Sequence, residues 1–148
     1  MKISTKGRYG LRAMIDLALY SNGTHVSLFS IAQRQGISGI YLEQVFATLR
    51  KAGLVKSVKG AQGGYLLCES PKDIKIGQIL RSLEGDLSVI DENESQKAED
   101  SLISACVKEN VWDKINENIN LLVDKVTLED LIIEQKKLNE GSIPMFYI

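Results

Sequence analysis

The chain has 148 residues, 44% of them hydrophobic and 25% charged, with a formal net charge of −1. That suffices for one domain, or a small domain with an appendage, and the balance excludes wholesale disorder. No apolar run approaches the ~20 residues that span a bilayer, and Met1–Gly7 has no apolar signal-peptide stretch, so a cytoplasmic chain without membrane contact is expected.

The charge average conceals a division. Residues 1–70 carry 9 Lys/Arg against 3 Asp/Glu, a net +6, whereas residues 71–148 carry 9 against 16, a net −7. A basic half beside an acidic half points to one face for a polyanion and a remainder with another task.

The first predicted element is a helix over Tyr9–Tyr20, with Leu11, Met14, Ile15, Ala18 and Leu19 at helical spacing before Ser21-Asn22-Gly23 stops it. A second helix begins after Ser27, turns Leu28, Ile31 and Ala32 inward, and ends at Gly36, where a left-handed residue is cheapest as glycine. Ser38 caps a third, whose inner stripe is Tyr41, Leu42, Val45, Phe46 and Leu49. Its outer positions are Ser38, Gly39, Glu43, Gln44, Thr48 and Lys51, flanked by Arg50. Gly53 closes that helix. Two short strands follow, Leu54–Val58 and Tyr65–Cys68, around the glycine-rich turn Lys59-Gly60-Ala61-Gln62-Gly63-Gly64.

After Pro71, Ile74, Ile76, Ile79, Leu80 and Leu83 predict a fourth helix ended by Gly85. The acidic stretch 86–100 lacks periodicity and reads as a mobile loop. Then Val107, Val111, Ile115, Ile119, Leu122 and Val126 form one stripe on a single long helix, widened by Ile103 and Trp112. Thr127 caps a last helix, Leu128–Leu138, that Gly141 ends, and a short tail closes on Met145-Phe146-Tyr147-Ile148. The expected divisions are 1–85, 86–100, 101–140 and 141–148.

Three helices and a glycine-tipped hairpin predict a mainly α winged helix-turn-helix with a small β wing, plus a long dimerisation helix. The third helix suits the major groove of double-stranded DNA. There Glu43 can accept from a cytosine amino group and Gln44 can pair with adenine. Ser38 stands at a helix N-terminus that favours phosphate. Lys51, Lys56 and Lys59 neutralise phosphates, and the wing tip with Gln62 can enter a minor groove. Gly39, Tyr41 and Arg50 complete the candidate DNA-contacting set on this helix. The stripe Val107, Val111, Trp112, Ile115, Ile119, Leu122 and Val126 is the expected seam of a homodimer, whose two-fold symmetry demands an approximately palindromic operator.

Catalysis is not expected, because one His and two separated Cys assemble no nucleophile–base pair. Cys106 is expected to be a small core residue, with Cys68 similar and His25 at the surface. No metal or other cofactor is expected.

The runs Ser4-Thr5-Lys6-Gly7-Arg8-Tyr9-Gly10, Tyr41-Leu42-Glu43-Gln44, Leu49-Arg50-Lys51-Ala52-Gly53-Leu54-Val55 and Gly63-Gly64-Tyr65-Leu66-Leu67 resemble the bacterial Rrf2 (Rrf-two) regulator family, more weakly again at Thr127-Leu128-Glu129-Asp130-Leu131. The resemblance implies a homodimeric regulator in which Tyr9, Ser38, Glu43, Gln44 and the wing lysine contact DNA. It is nearest to the branch that represses cysteine-metabolism genes. In that branch the C-terminal tail, here Phe146, Tyr147 and Ile148, implies docking on cysteine synthase. The iron–sulfur branch places three cysteines before the dimerisation helix. Here only Cys106 falls at such a position, and Glu109 stands where a histidine would follow. Two other readings stay open: a thiol- or metal-responsive regulator using Cys106, and a protein-interaction module without DNA binding.

Overall fold

The computed structural model describes residues 1–91 and 101–142. Helix α1 (Thr5–Tyr20) starts at Ser4, whose Oγ accepts from the Gly7 N–H at 3.3 Å. That start is earlier than the periodicity predicts, because Gly7 and Gly10 are weak helix formers that mask the first turns. Both are buried against α4 (Ile76–Glu84), where a Cβ on Gly7 would collide with the Glu84 carboxylate and one on Gly10 with Leu83. The Ser4 N–H also donates to Glu84 Oε1 at 2.9 Å, so the entry to α1 is tied to the end of α4.

Ser27 caps α2 (Leu28–Gln35), and Gly36, at φ 64°, ends it in the left-handed conformation. Ser38 caps α3 (Gly39–Lys51). On its inner face Leu42, Val45, Phe46 and Leu49 are fully buried, and they meet Ala13, Met14 and Leu17 of α1 and Ile31 of α2 in one core. Strands β1 (Val55–Val58) and β2 (Gly64–Leu67) pair antiparallel, Val55 opposite Leu67 and Val58 opposite Gly64.

Val26 adds a rung to the hairpin: its N–H donates to Tyr65 O at 3.0 Å, and the Tyr65 N–H donates back at 2.8 Å. Gly64 permits that approach, since a Cβ there would overlap the Val26 carbonyl. A 3-10 turn (Pro71–Asp73) then leads to α4.

The expected long helix is continuous over residues 102–125 and carries one π turn. Helix α5 (Leu102–Val107) passes into a π turn (Lys108–Trp112) and then α6 (Asp113–Lys125). A π turn admits an extra residue per turn, which changes the phase of the stripe. Within α6, Val123, outside the predicted stripe, is buried against Ile76, Leu80 and Leu87, while Leu122 is exposed.

Thr127 caps α7 (Leu128–Ser142) in a reciprocal pair: the Thr127 N–H donates to Asp130 Oδ2 at 2.9 Å, and the Asp130 N–H donates to Thr127 Oγ1 at 3.0 Å. The helix runs through Gly141 rather than stopping there, an interior glycine being a cost of about 1 kcal/mol and no barrier. Leu128 is fully buried in the core that α1 and α3 build.

Two features join α6 and α7 to the rest. The Ile76 N–H donates to Val126 O and the Leu128 N–H donates to Ile74 O, both at 2.9 Å, a backbone clasp around the Lys75–Thr127 bridge. Arg81 of α4 donates to both carboxylate oxygens of Asp124, at 2.6 and 2.9 Å, and to Asn120. The same guanidinium holds the Asp124 carboxyl below its ordinary value. Residues 92–100 of the expected acidic loop and the tail residues Phe146, Tyr147 and Ile148 lie outside those described.

Candidate nucleic-acid interface

Helix α3 presents its polar side because its apolar side is spent on the core. Leu42, Val45, Phe46 and Leu49 face inward, which leaves Ser38, Gly39, Glu43, Gln44, Arg50 and Lys51 exposed. Ser38 Oγ accepts from the Tyr41 N–H at 3.4 Å, fixing the first turn. The Ser38 side chain is therefore already engaged, and any anion at this end meets backbone donors with their dipole.

Tyr9 and Tyr41 are half-buried and touch edge to face, with ring centroids 6.1 Å apart and planes at 85°. The Arg12 guanidinium lies 5.0 Å from the Tyr9 ring centroid. These aromatics anchor the start of α3 to α1, and part of each remains reachable by a ligand.

The angle between α1 and α2 rests on one buried acid. Asp16 is 1% exposed and accepts from Arg34 Nη2 at 2.7 Å, Arg34 Nε at 3.0 Å and Gln35 Nε2 at 2.9 Å. Arg34 also stacks 3.8 Å above the Tyr20 ring, and the bond to Asp16 raises its already high pKa. Sequence periodicity had no signal for this clamp, since Asp16 reads as one polar residue in a helix.

The wing places Lys56, Lys59 and Gln62 in solvent. Gly60, at φ 117°, and the Gly63 N–H to Gly60 O bond at 3.0 Å make the tight tip. His25, expected only at the surface, hydrogen-bonds through Nε2 to the Gln62 carbonyl and so braces the tip from the segment before α2. Basic side chains and narrow backbone thus sit together at the tip, the arrangement a phosphate-lined groove requires.

Beyond residue 100 the predicted stripe divides. Ile119 and Val126 are half-buried against the α4 cluster, whereas Val111, Trp112, Ile115 and Leu122 are exposed, as are Leu102, Ile103 and Leu121. Val107 is half-buried. Seven large apolar side chains are thus left in water along one helical arm.

Cys106 is exposed on this arm, which corrects its expected place in a core. The π turn and the lack of a covering element leave it facing solvent, its Sγ 3.8 Å from Asn110 Nδ2. Cys68 is exposed as well.

Sequence reasoning also passed over Ile40. It is 74% exposed in the first turn of α3. An apolar residue interrupting an otherwise polar outer face was the available signal.

Residues 3–134 match the family model Rrf2, described as an iron-dependent transcriptional regulator. The chain is 43% identical to the HTH-type transcriptional regulator CymR of Bacillus subtilis (strain 168) over 148 residues, covering 100% of both chains. The solved structure of CymR, the global cysteine regulator of B. subtilis, has a TM-score of 0.78 at 44% identity, over 90% of this chain and 98% of that one. The structure of T. potens IscR has a TM-score of 0.74 at 48% identity, over 93% and 90% of the two chains.

Proposed function

The chain belongs to the Rrf2 family of DNA-binding transcriptional regulators, and within it we propose a homodimeric repressor of cysteine- and sulfur-metabolism genes that reads an approximately palindromic operator. The observation that carries this reading is the exposed α3 face with Lys56, Lys59 and Gln62 of the wing in the same half of the chain. Glu43 and Gln44 read base edges. Ser38, Gly39, Tyr9, Tyr41, Arg50, Lys51, Lys56, Lys59 and Gln62 position the duplex. Residues 1–85 form the reading head and residues 101–140 the dimerisation arm, with the first turn of α7 anchored in the head.

Two copies meet along Val111, Trp112, Ile115 and Leu122, extended by Leu102 and Ile103. Those side chains are exposed in the single chain, and a second copy offers them a matching apolar surface under two-fold symmetry. The tail Phe146-Tyr147-Ile148 docks on cysteine synthase. Deleting Tyr147 and Ile148 should abolish co-purification with that enzyme, and an unchanged complex would remove the partner from the account.

An iron–sulfur cluster, which the family description brings to mind, does not fit the residues present. Such a cluster needs about four ligands, and between Gly85 and Trp112 the chain has one cysteine, Cys106. Among the described residues no three His, Cys, Asp or Glu side chains gather into a metal-ligating group. Control then falls to a partner, a small effector or the exposed thiol of Cys106 rather than to a cluster.

The test is operator binding across a salt series. The intact protein should lose affinity steeply as salt rises. Lys59→Ala should weaken binding to all duplexes and, being lost from both protomers, flatten the salt slope by about two units, whereas Glu43→Ala should relax preference at one base pair in each half-site. If neither substitution alters binding to any duplex, the DNA-reading proposal is wrong.

A further inference from the structure

Ile40 occupies the second position of α3, after the Ser38 cap and Gly39, and its side chain is 74% exposed. It lies three and four residues before Glu43 and Gln44, both exposed, so the three share one outer face of the helix. Leu42, Val45, Phe46 and Leu49 already supply the inner face, so Ile40 adds nothing to the core. Beside it, a Cβ on Gly39 would meet nothing within 4 Å, and the approach to this turn is open.

An isoleucine offers no hydrogen bond to a base edge. In the major groove the apolar group that base pairs display is the C5-methyl of thymine, and the N-terminal turn of a recognition helix is the part that reaches base edges. We propose that Ile40 is a specificity-determining residue that reads a thymine methyl group in each operator half-site. This rests on the DNA-reading role proposed above. Four helical residues rise about 6 Å, close to two base-pair steps, which puts the thymine within two base pairs of the one contacted by Gln44.

The experiment starts from operators selected by the full chain from a randomised duplex pool. Each thymine is then replaced by deoxyuridine, which removes only the methyl. At one position per half-site the intact protein should bind about fourfold more weakly, the worth of one buried methyl-sized group. Ile40→Ala should bind the thymine and deoxyuridine duplexes equally, with an unchanged melting temperature because the side chain is not part of the core. Intact protein indifferent to every deoxyuridine, or Ile40→Ala retaining the same fourfold difference, overturns the inference while leaving DNA binding standing. Intact protein that selects no duplex overturns the DNA-reading role and this inference together.

Discussion

The Asp16–Arg34 clamp gives the sharpest test of how the reading head is held. Arg34→Ala removes three charge-assisted bonds, at 2.7, 3.0 and 3.2 Å, and the stack on Tyr20, leaving a carboxylate 1% exposed with one bond, from Gln35. Stranding a buried charge costs about 3–5 kcal/mol. The surviving Gln35 bond and the opening to solvent left by Arg34, itself 30% exposed, place this case near 3 kcal/mol. For a chain of this size that lowers the melting temperature by roughly 6–12 °C. The decisive variant adds Asp16→Asn to Arg34→Ala. If the damage comes from the stranded charge, neutralising it at constant volume should restore roughly half of the loss. Thermal and urea melts of the two variants supply the readout, with operator affinity following the same order because the clamp sets the angle of α2. A double variant no more stable than Arg34→Ala alone would refute the reasoning, and the loss would then belong to packing and the Tyr20 stack.

Other outcomes follow from the same structure. Gly64→Ala drives a Cβ into the Val26 carbonyl and should cost about 1–3 kcal/mol, with loss of exchange protection at the Tyr65 amide and weaker operator binding. Leu122→Lys, on a residue 62% exposed in the single chain, should leave the fold melting normally yet yield monomers by sedimentation, with collapsed operator affinity; a persisting dimer would place the seam elsewhere. The carboxyls of Asp124 and Asp130 lie below the ordinary value of 3.8, through the Arg81 bond and the Thr127 backbone bond respectively. A depressed folded value means their stabilisation is present above the unfolded value and lost as pH falls through the folded one. Melts should therefore decline below about pH 4, and less so in Asp124→Asn.

Much of the reading head was legible because local chemistry specifies it. Ser27, Gly36 and Ser38 mark the helix-turn-helix on their own, and the glycines at 60, 63 and 64 mark the wing. The fold class, mainly α with a small β wing, was read from those signals and is the architecture found. Failures arose where distant partners decide. Gly7 and Gly10 looked like the absence of a helix, yet they are where α1 meets α4. The π turn at Lys108–Trp112 left no mark in the spacing of apolar residues, and it is packing on Ile76, Leu80 and Leu87 that turns Val123 rather than Leu122 inward. Cys106 was assigned by residue type to a core that the single chain does not provide there. Ile40 lies off the inward periodicity of its helix, and its place on the outer face carries the information.

The clasp between residues 74–76 and 126–128 consists of main-chain bonds. Such bonds are indifferent to side-chain identity, so substitutions along the exposed arm or the reading helix that spare the Arg81–Asp124 pair and Val123 leave the joint between them unchanged. Head and arm are therefore free to diverge at separate rates during evolution. A lineage can change which sequence it recognises, or which surface it assembles through, without having to rediscover the angle at which one is mounted on the other.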